Sequence, residues 1–241
     1  MRKLESTQDR FRIIQKSLLR SMGNQDYKEL WKQSTDFVEF LTSEKGFILD
    51  DQLKELPLLT LQDIELYYPR LLEELRIEIL VHGNFLKEDA IRLPDLTLSI
   101  LESRQLCPTK WPENRSVILS PGRHIVYQRV LKDPENPNNC IEYILYIGNK
   151  ANRRLLAMTL LLDMMTFGPA FDELRNKGGL GFTVKCNVWM NANRIGYRFL
   201  ILSQKTPELL KTRIDTFLTG HGNTIRNMTS LEFGKLSPDW Q

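Results

Sequence analysis

The sequence has little histidine and little cysteine, three of each among 241 residues. The cysteines Cys107, Cys140 and Cys186 are widely spaced and form no CxxC pair, which argues against a zinc ribbon or a dithiol redox site. Reduced thiols in an intracellular protein are the simplest expectation. Neither HxxEH nor HExxH occurs, although a zinc peptidase needs one of these helical patterns for its metal ligands and glutamate base. We therefore expect no metal site and no cofactor in this chain.

Glycine-rich phosphate loops and a GxSxG nucleophile elbow are also missing. The longest apolar run, Leu155 to Met165, is interrupted by two polar residues. It is too short to span a bilayer, so we expect a buried helix and no membrane partner. The amino terminus has no apolar signal core, which predicts a cytoplasmic protein and leaves the peroxisome and the mitochondrion open.

The charge is nearly balanced, with 33 basic and 30 acidic side chains and a formal net charge of +3. A dedicated nucleic-acid binder would be expected to concentrate basic residues in a patch, so we expect no nucleic-acid partner. Hydrophobic residues make up 41% of the chain and charged residues 26%, which is typical of a soluble globular protein. The length allows one large domain or two small ones.

Local signals predict several element boundaries. Thr60 with Asp63 has the spacing of a capping box, and Thr206 before Pro207 is a strong helix start. Asn84 is a candidate cap for a helix with Glu88 in its first turn, whereas Pro69 and Pro94 should divide or kink their helices. The pair Gly178–Gly179 is a candidate helix stop.

Hydrophobic periodicity predicts helices in the first third of the chain and groups of strands and helices after it. The order favours an α+β fold with an antiparallel-rich sheet and helices packed on one face. Strands are predicted at Ile77–Val81, Ser116–Ser120, His124–Leu131, Ile141–Ile147, Phe182–Met190 and Ile195–Ile201; helices are predicted at Arg153–Phe167 and Pro169–Lys177 and after Thr206. The segment Cys107–Glu113, with two prolines and a tryptophan, is predicted to link two domains.

Five segments resemble the insulinase family of zinc metallopeptidases. Tyr67–Leu72 (YYPRLL) with Ile77–Asn84 (IEILVHGN) is similar to the end of the third family domain. Tyr127–Arg129 (YQR) with Asn138–Tyr143 (NNCIEY) is similar to paired strands that open the fourth domain. The strongest match is Pro169–Phe182, PAFDELRNKGGLGF, where family members typically have FDxLRTKEQLGY.

The resemblance implies two partial metallopeptidase-like domains. Residues 1–106 would be the C-terminal part of the third domain, 107–114 the linker, and 115–241 the N-terminal part of the fourth. In the family, the first domain binds zinc and the fourth faces it across a closed chamber. The resemblance therefore implies peptide substrates and a missing zinc-bearing half as partners. It also implies zinc only in the full-length enzyme, so this chain alone is expected to be inactive.

The resemblance assigns substrate-binding roles to three residues and a catalytic role to none. Arg175 corresponds to an arginine that holds the substrate backbone, Phe182 to a tyrosine with the same task, and Phe171 to a residue of the substrate pocket. A guanidinium donates hydrogen bonds to peptide carbonyls without losing its proton, which suits this role. Phe182 lacks the tyrosine hydroxyl. Where the family has Lys-Glu-Gln, this chain has a lysine followed by Gly178–Gly179, which should loosen the link between helix and strand.

Other interpretations remain open for the same residues. Arg175 could serve only the helix dipole, Phe182 could be a core strand residue, and Phe171 could be a packing residue. For the whole chain, the alternatives are a non-catalytic peptide-binding or structural subunit and a truncated remnant. A truncated gene product, a gene-model fragment and one part of a split enzyme would all account for the partial resemblance.

Overall fold

The computed structural model describes residues 6–24, 29–131 and 133–235. The helices in chain order are α1 Gln8–Gly23, α2 Leu30–Thr42, α3 Leu49–Glu55, α4 Leu61–Glu73, α5 Lys87–Leu101, α6 Arg153–Ala170, α7 Pro207–Arg226 and α8 Ser230–Lys235. A π-helical segment, Phe171–Lys177, continues α6, and short 3-10 turns lie at Leu56–Leu58 and Pro108–Lys110. The strands are β1 Glu74–Leu75, β2 Arg104–Gln105, β3 Asn139–Asn149, β4 Thr183–Asn191 and β5 Arg194–Ser203.

The chain divides into two compact units. The first comprises the described residues of Met1–Gln25 and Leu49–Glu113, and the second those of Asp26–Ile48 and Asn114–Gln241. Helix α2 therefore belongs to the second unit, although the sequence-based division placed it within residues 1–106. The assignment of the two parts to the third and fourth family domains stays a prediction.

The first unit is mainly helical. Its α4 begins with the predicted capping box, in which the Thr60 hydroxyl accepts from the Asp63 backbone N–H and the Asp63 carboxylate accepts from the Thr60 backbone N–H. Strands β1 and β2 form a parallel pair. The segment predicted as a linker packs within this unit, because the guanidinium carbon of Arg76 lies 4.2 Å from the centre of the Trp111 ring and Lys110 pairs with Glu74 over 2.8 Å.

The second unit is built on a three-stranded antiparallel sheet with the order β3-β5-β4. The predicted strands Ile141–Ile147, Phe182–Met190 and Ile195–Ile201 correspond to these three, and β4 and β5 form the predicted hairpin. The hydrophobic core lies between one face of the sheet and the helices α6 and α7. Its most buried members are Ala170, Leu174, Leu180, Tyr197, Phe199, Ile201, Leu210 and Ile214.

The α+β class and the antiparallel sheet are confirmed. The side chains of the other sheet face, Glu142 and Arg198 among them, meet helix α2, where Ser34 and Thr35 donate to the Glu142 carboxylate. The sheet is thus covered by α6 and α7 on one face and by α2 on the other, whereas the sequence analysis expected helices on one face only.

Three predicted strands do not form. Ile77–Val81 and His124–Leu131 have no strand in the structure, and Ser116–Ser120 contributes only an isolated bridge from Ser116 to Ser43. An alternating apolar pattern forms a strand only where a second strand satisfies its backbone groups. The part of the chain that the structure describes offers these segments no such neighbouring strand.

Helix boundaries also differ from the predictions at three places. Pro69 lies inside α4 and Pro94 inside α5, and neither divides its helix. Asn84 caps nothing, because α5 begins three residues later and has Leu86 at its N-cap position. Glu88 does lie in the first turn of α5, as predicted.

Helix α6 is longer and more exposed than predicted. It continues past Phe167 into the π-helical segment, and only Thr159, Met165, Thr166 and Ala170 of α6 are buried. By length and composition alone, Arg153–Lys177 would suffice to cross a membrane, a test that the core helix of a soluble protein also passes. In this structure the helix packs against β4 and β5.

Candidate substrate-contact site

The π-helical segment Phe171–Lys177 carries two of the three predicted substrate-binding residues. Phe171 is its first residue and Arg175 lies in its last turn, while Leu174 between them is buried in the core. The buried leucine anchors the segment to the sheet, which directs its polar residues outward. Single π-turns within helices are rare and often occur at functional sites.

Arg175 and Phe171 are in direct contact. The guanidinium carbon of Arg175 lies 4.9 Å from the centre of the Phe171 ring, within cation–π range. The Phe171 ring stacks in turn on Phe167, with the ring centres 6.4 Å apart. A guanidinium stacked on a ring keeps its N–H donors in its own plane, where they remain available to a carbonyl. In the described part of the chain, no acidic side chain forms an ion pair with Arg175.

Phe167 is a member of this group that the sequence analysis missed. Phe167, Phe171 and Arg175 follow one another at intervals of four residues, the spacing that places side chains on the same side of a helix. That spacing was visible in the sequence. It was overlooked because the predicted helix boundary separated Phe167 from the other two.

A second ionic contact fixes the end of the same segment. The Lys177 ammonium lies 2.7 Å from the Asp172 carboxylate, which also accepts a hydrogen bond from the Asn176 amide at 3.3 Å. These two donors, Lys177 first, lower the pKa of Asp172, so the carboxylate stays charged at neutral pH. The acid is thereby occupied within the turn and does not compete with a substrate for Arg175.

The glycines after the segment tighten the turn to β4, contrary to the prediction that they loosen it. The backbone N–H groups of Gly178, Gly179 and Leu180 donate to the carbonyls of Glu173, Arg175 and Leu174 at 2.9 to 3.1 Å. Gly179 has a φ of +53°, which glycine adopts without strain. A Cβ on Gly181 would lie 2.1 Å from the Leu202 carbonyl oxygen. Gly178 and Gly179 therefore form the predicted helix stop, and Gly181 allows the backbone to lie close to Leu202.

Phe182 follows the glycine turn and differs from the other two predicted residues in its contacts. Its side chain is 60% exposed directly before β4, so it is not a core strand residue. Among the described residues, no aromatic or cation–π contact joins it to Arg175 or Phe171. The structure therefore brings two of the three predicted contacts together and leaves Phe182 as an exposed ring beyond the glycine turn.

The residues that the structure describes do not fit a zinc ion. Within residues 6–24, 29–131 and 133–235, no group of three or more histidine, cysteine, aspartate or glutamate side chains could hold a metal. His221, the histidine nearest this segment in sequence, has packing partners instead: its ring stacks on Phe217 and its Nε2 lies 3.1 Å from the Thr166 hydroxyl. Burial lowers the pKa of His221, which favours its neutral form.

Comparison with protein families and known proteins supports the resemblance seen in the sequence. Residues 161–238 match the family model described as PQQ synthase PqqF-like, C-terminal lobe domain 4. The chain is 28% identical over 233 residues to the A-factor-processing enzyme of Saccharomyces cerevisiae, covering 96% of this chain and 22% of the relative. It is 29% identical over 241 residues to human insulin-degrading enzyme, covering 98% of this chain and 23% of the relative.

Two further matches extend this result. A putative zinc protease of Schizosaccharomyces pombe is 24% identical over 98% of this chain. The crystal structure of pitrilysin superposes with a TM-score of 0.81 at 19% identity, over 98% of this chain and 24% of that one. The chain thus spans less than a quarter of the length of these four proteins. Together the matches support the resemblance to the insulinase/pitrilysin family of metallopeptidases, and the chain aligns with one portion of these longer proteins.

Proposed function

We propose that this chain forms part of the wall of a peptide-binding chamber in an insulinase-type zinc metalloendopeptidase, and that it does not cleave peptides alone. The contact between Arg175 and Phe171 carries the proposal. It holds an exposed guanidinium against an aromatic ring at the segment that best matches the family pattern. The named activities of the relatives, A-factor processing and insulin degradation, are consistent with a peptide substrate.

The proposed chemistry is recognition of a peptide backbone. Arg175 donates hydrogen bonds to a substrate carbonyl, while Phe167 and Phe171 limit the conformations of its side chain. Phe182 provides an exposed apolar contact without the hydroxyl of the family tyrosine. Zinc and the general base would come from a family portion that this chain does not include, so no bond-breaking step is assigned to these residues.

Peptide binding tests the role of Arg175 directly. We would titrate the purified chain with a fluorescently labelled insulin B-chain peptide and follow the anisotropy. Arg175→Gln should weaken binding about tenfold or more, because a hydrogen bond to a charged group contributes about 1.5–3 kcal/mol. Arg213→Gln is the matched control, since it removes an exposed guanidinium from α7 and changes the net charge equally. Equal affinities of the two variants would refute the assignment.

Phe182→Tyr tests the same site in the opposite direction. Restoring the hydroxyl should tighten binding about fivefold, since a neutral hydrogen bond contributes about 1 kcal/mol.

Cleavage of a quenched fluorogenic peptide, with and without added zinc and a chelator, tests whether the chain alone lacks peptidase activity. Zinc-dependent cleavage that the chelator abolishes would show that the chain is an enzyme by itself.

A second candidate function is a non-catalytic peptide-binding subunit. It is favoured by the sheet of the second unit, in which β3 and β4 both lie at an edge among the described residues. An edge strand offers backbone hydrogen-bonding groups to an extended peptide. Co-purification with a zinc-bearing family protein would favour the chamber wall, whereas stable folding and peptide binding without such a protein would favour the subunit.

A further inference from the structure

The two units differ in how much of their apolar surface they bury. The second unit has a closed core, in which Phe199, Ile201 and Ile214 are fully buried. In the first unit, by contrast, no residue of 6–24 and 49–113 is buried. A folded unit of this length needs a buried core to offset the conformational entropy that its chain loses. The first unit does not supply that core from its own described residues.

The first unit has apolar residues but exposes them. Leu66 on α4, Ile91 on α5 and Leu80 between these helices are 57%, 63% and 94% exposed. About half of the exposed large apolar side chains of the described chain lie in this unit. Residues 1–5 and 25, which complete the unit, are too few to cover them. Exposed apolar surface on this scale is typical of a face that another polypeptide covers.

The contacts within the first unit set the geometry of its helices without closing a core. Arg104 lies 2.6 Å from Glu73 at the end of α4, and Lys110 lies 2.8 Å from Glu74. All four side chains are exposed or half-exposed, and ion pairs of this kind contribute little to stability. The unit therefore has a defined shape but little to stabilise it.

The solved structure that this chain resembles shows where such a unit is stable. Pitrilysin superposes over 98% of this chain, an extent that includes both units, with a TM-score of 0.81. The match takes up only 24% of the pitrilysin chain, so about three quarters of that chain lies outside it. A unit with no buried residue of its own can persist there because further polypeptide is present to cover it.

We propose that the first unit is an interface that becomes ordered only when it docks onto a further portion of an insulinase-type polypeptide, whereas the second unit folds alone. A segment that cannot bury enough apolar surface by itself meets the cost of ordering when it binds. The choice of partner rests on the proposed function, which places this chain in a larger enzyme. The difference between the units rests only on burial.

The first test is hydrogen exchange of the full chain alone, followed by mass spectrometry of peptic fragments. Amides of α4 and α5 should exchange within about tenfold of the rate of an unstructured chain, because nothing opposes their local opening. Amides of β5 and α7 should exchange at least about a thousandfold more slowly. Protection of α4 and α5 equal to that of β5 would overturn the proposal. So would protection that rises with the concentration of the chain, because a second copy would then be the occupant.

The second test supplies the partner. The chain would replace the region that it matches in the A-factor-processing enzyme of Saccharomyces cerevisiae, and exchange would be measured again. Protection of α4 and α5 should rise at least tenfold, while β5 reports that the second unit is folded. Unchanged exchange in α4 and α5 beside a protected β5 would overturn the proposal. The same replacement in human insulin-degrading enzyme serves if the first fusion does not fold.

A pair of variants tests whether the apolar surface makes the contact. Leu66→Asp places a charge on the exposed apolar part of α4 and should abolish the protection gained in the fusion. Gln62→Asp is the matched control, since it adds the same charge at an exposed polar residue one turn earlier. Equal loss in both variants would show that the apolar surface does not carry the docking. Peptide binding at Arg175 is measured separately on the second unit, so failure of either proposal can be told from failure of the other.

Discussion

The guanidinium of Arg198 on β5 lies 3.2 Å from the carboxylate of Glu142 on β3, and the two side chains are only 18% and 2% exposed. The same carboxylate accepts hydrogen bonds from Ser34 and Thr35 on α2, and Asn187 on β4 accepts from the guanidinium. One buried network thus joins α2 to all three strands. It places α2 in the second unit, although the part of the first unit from α3 to β2 separates α2 in sequence from the strands.

Removal of one member of this network should destabilise the second unit strongly. Arg198→Met leaves a buried carboxylate without its cation, which costs about 3–5 kcal/mol. Lys211→Met is the matched control, because Lys211 pairs with Asp215 at the surface of α7, where such pairs contribute less than about 1 kcal/mol. Urea denaturation followed by tryptophan fluorescence measures both. Similar losses of unfolding free energy in the two variants would show that the buried pair contributes no more to stability than the surface pair.

Sequence reasoning worked where structure is local. Thr60 with Asp63 and Thr206 before Pro207 were predicted as helix starts, and both form, since a cap depends only on residues within one turn. It failed where a strand forms only if a distant segment pairs with it. His124–Leu131 has a strand pattern as clear as that of β4, yet only β4 has a neighbouring strand among the described residues. The alternating apolar pattern of one segment does not reveal whether a distant segment will pair with it.

Gly181→Ala should destabilise the second unit, whereas Gly220→Ala should stabilise it. At Gly181 a Cβ would lie 2.1 Å from the Leu202 carbonyl oxygen, and forced overpacking costs about 1–3 kcal/mol. Gly220 lies inside α7, and a Cβ there would meet no atom within 4 Å, so alanine should add about 0.5–1 kcal/mol through helix propensity. Thermal unfolding by circular dichroism should give shifts of opposite sign. If Gly181→Ala left the unfolding temperature unchanged, the turn before β4 would have shifted to accommodate the added Cβ.

The candidate site shows the same division between local and distant information. The four-residue spacing of Phe167, Phe171 and Arg175 is local and sufficed in principle to place the three on one side of a helix. The behaviour of the glycines was not predictable, because Gly181 is constrained by Leu202, which lies near the far end of β5. The replacement of the family's Lys-Glu-Gln by a lysine and Gly178–Gly179 suggested a loose turn, and only the hydrogen bonds of the turn and the approach of β5 show that it is tight.

Cys107 should be the thiol that reacts first. It is exposed, and hydrogen bonds from Thr109 lower the pKa of its thiol, whereas burial raises the pKa of Cys140 to about 12 and that of Cys186 to about 11. Since the thiolate is the reactive form, a chromogenic disulfide reagent at neutral pH should label one thiol quickly. Cys107→Ser should remove this fast phase, while denaturation should expose all remaining thiols. A fast phase that persists in the variant would contradict the burial of the other two.

The raised pKa of Cys140 predicts how the stability of the second unit depends on alkaline pH. The thiol has an ordinary pKa of 9.0, and burial raises it to about 12 in the folded protein, so the unfolded chain releases this proton first as the pH rises. The contribution of Cys140 to stability is therefore complete below about pH 9 and is lost progressively between there and about pH 12.

Cys140→Ala isolates this effect, because every other titrating group, Cys186 included, is present in both proteins and cancels in the comparison. The difference in free energy of unfolding between the wild type and the variant should be constant from about pH 6 to pH 8. It should then move in favour of the variant as the pH rises from about 9 to 11, because only the unfolded wild type releases a proton that its folded form still holds. Urea denaturation at a series of pH values measures this difference. A constant difference up to about pH 11 would mean that water reaches the Cys140 thiol in the folded protein.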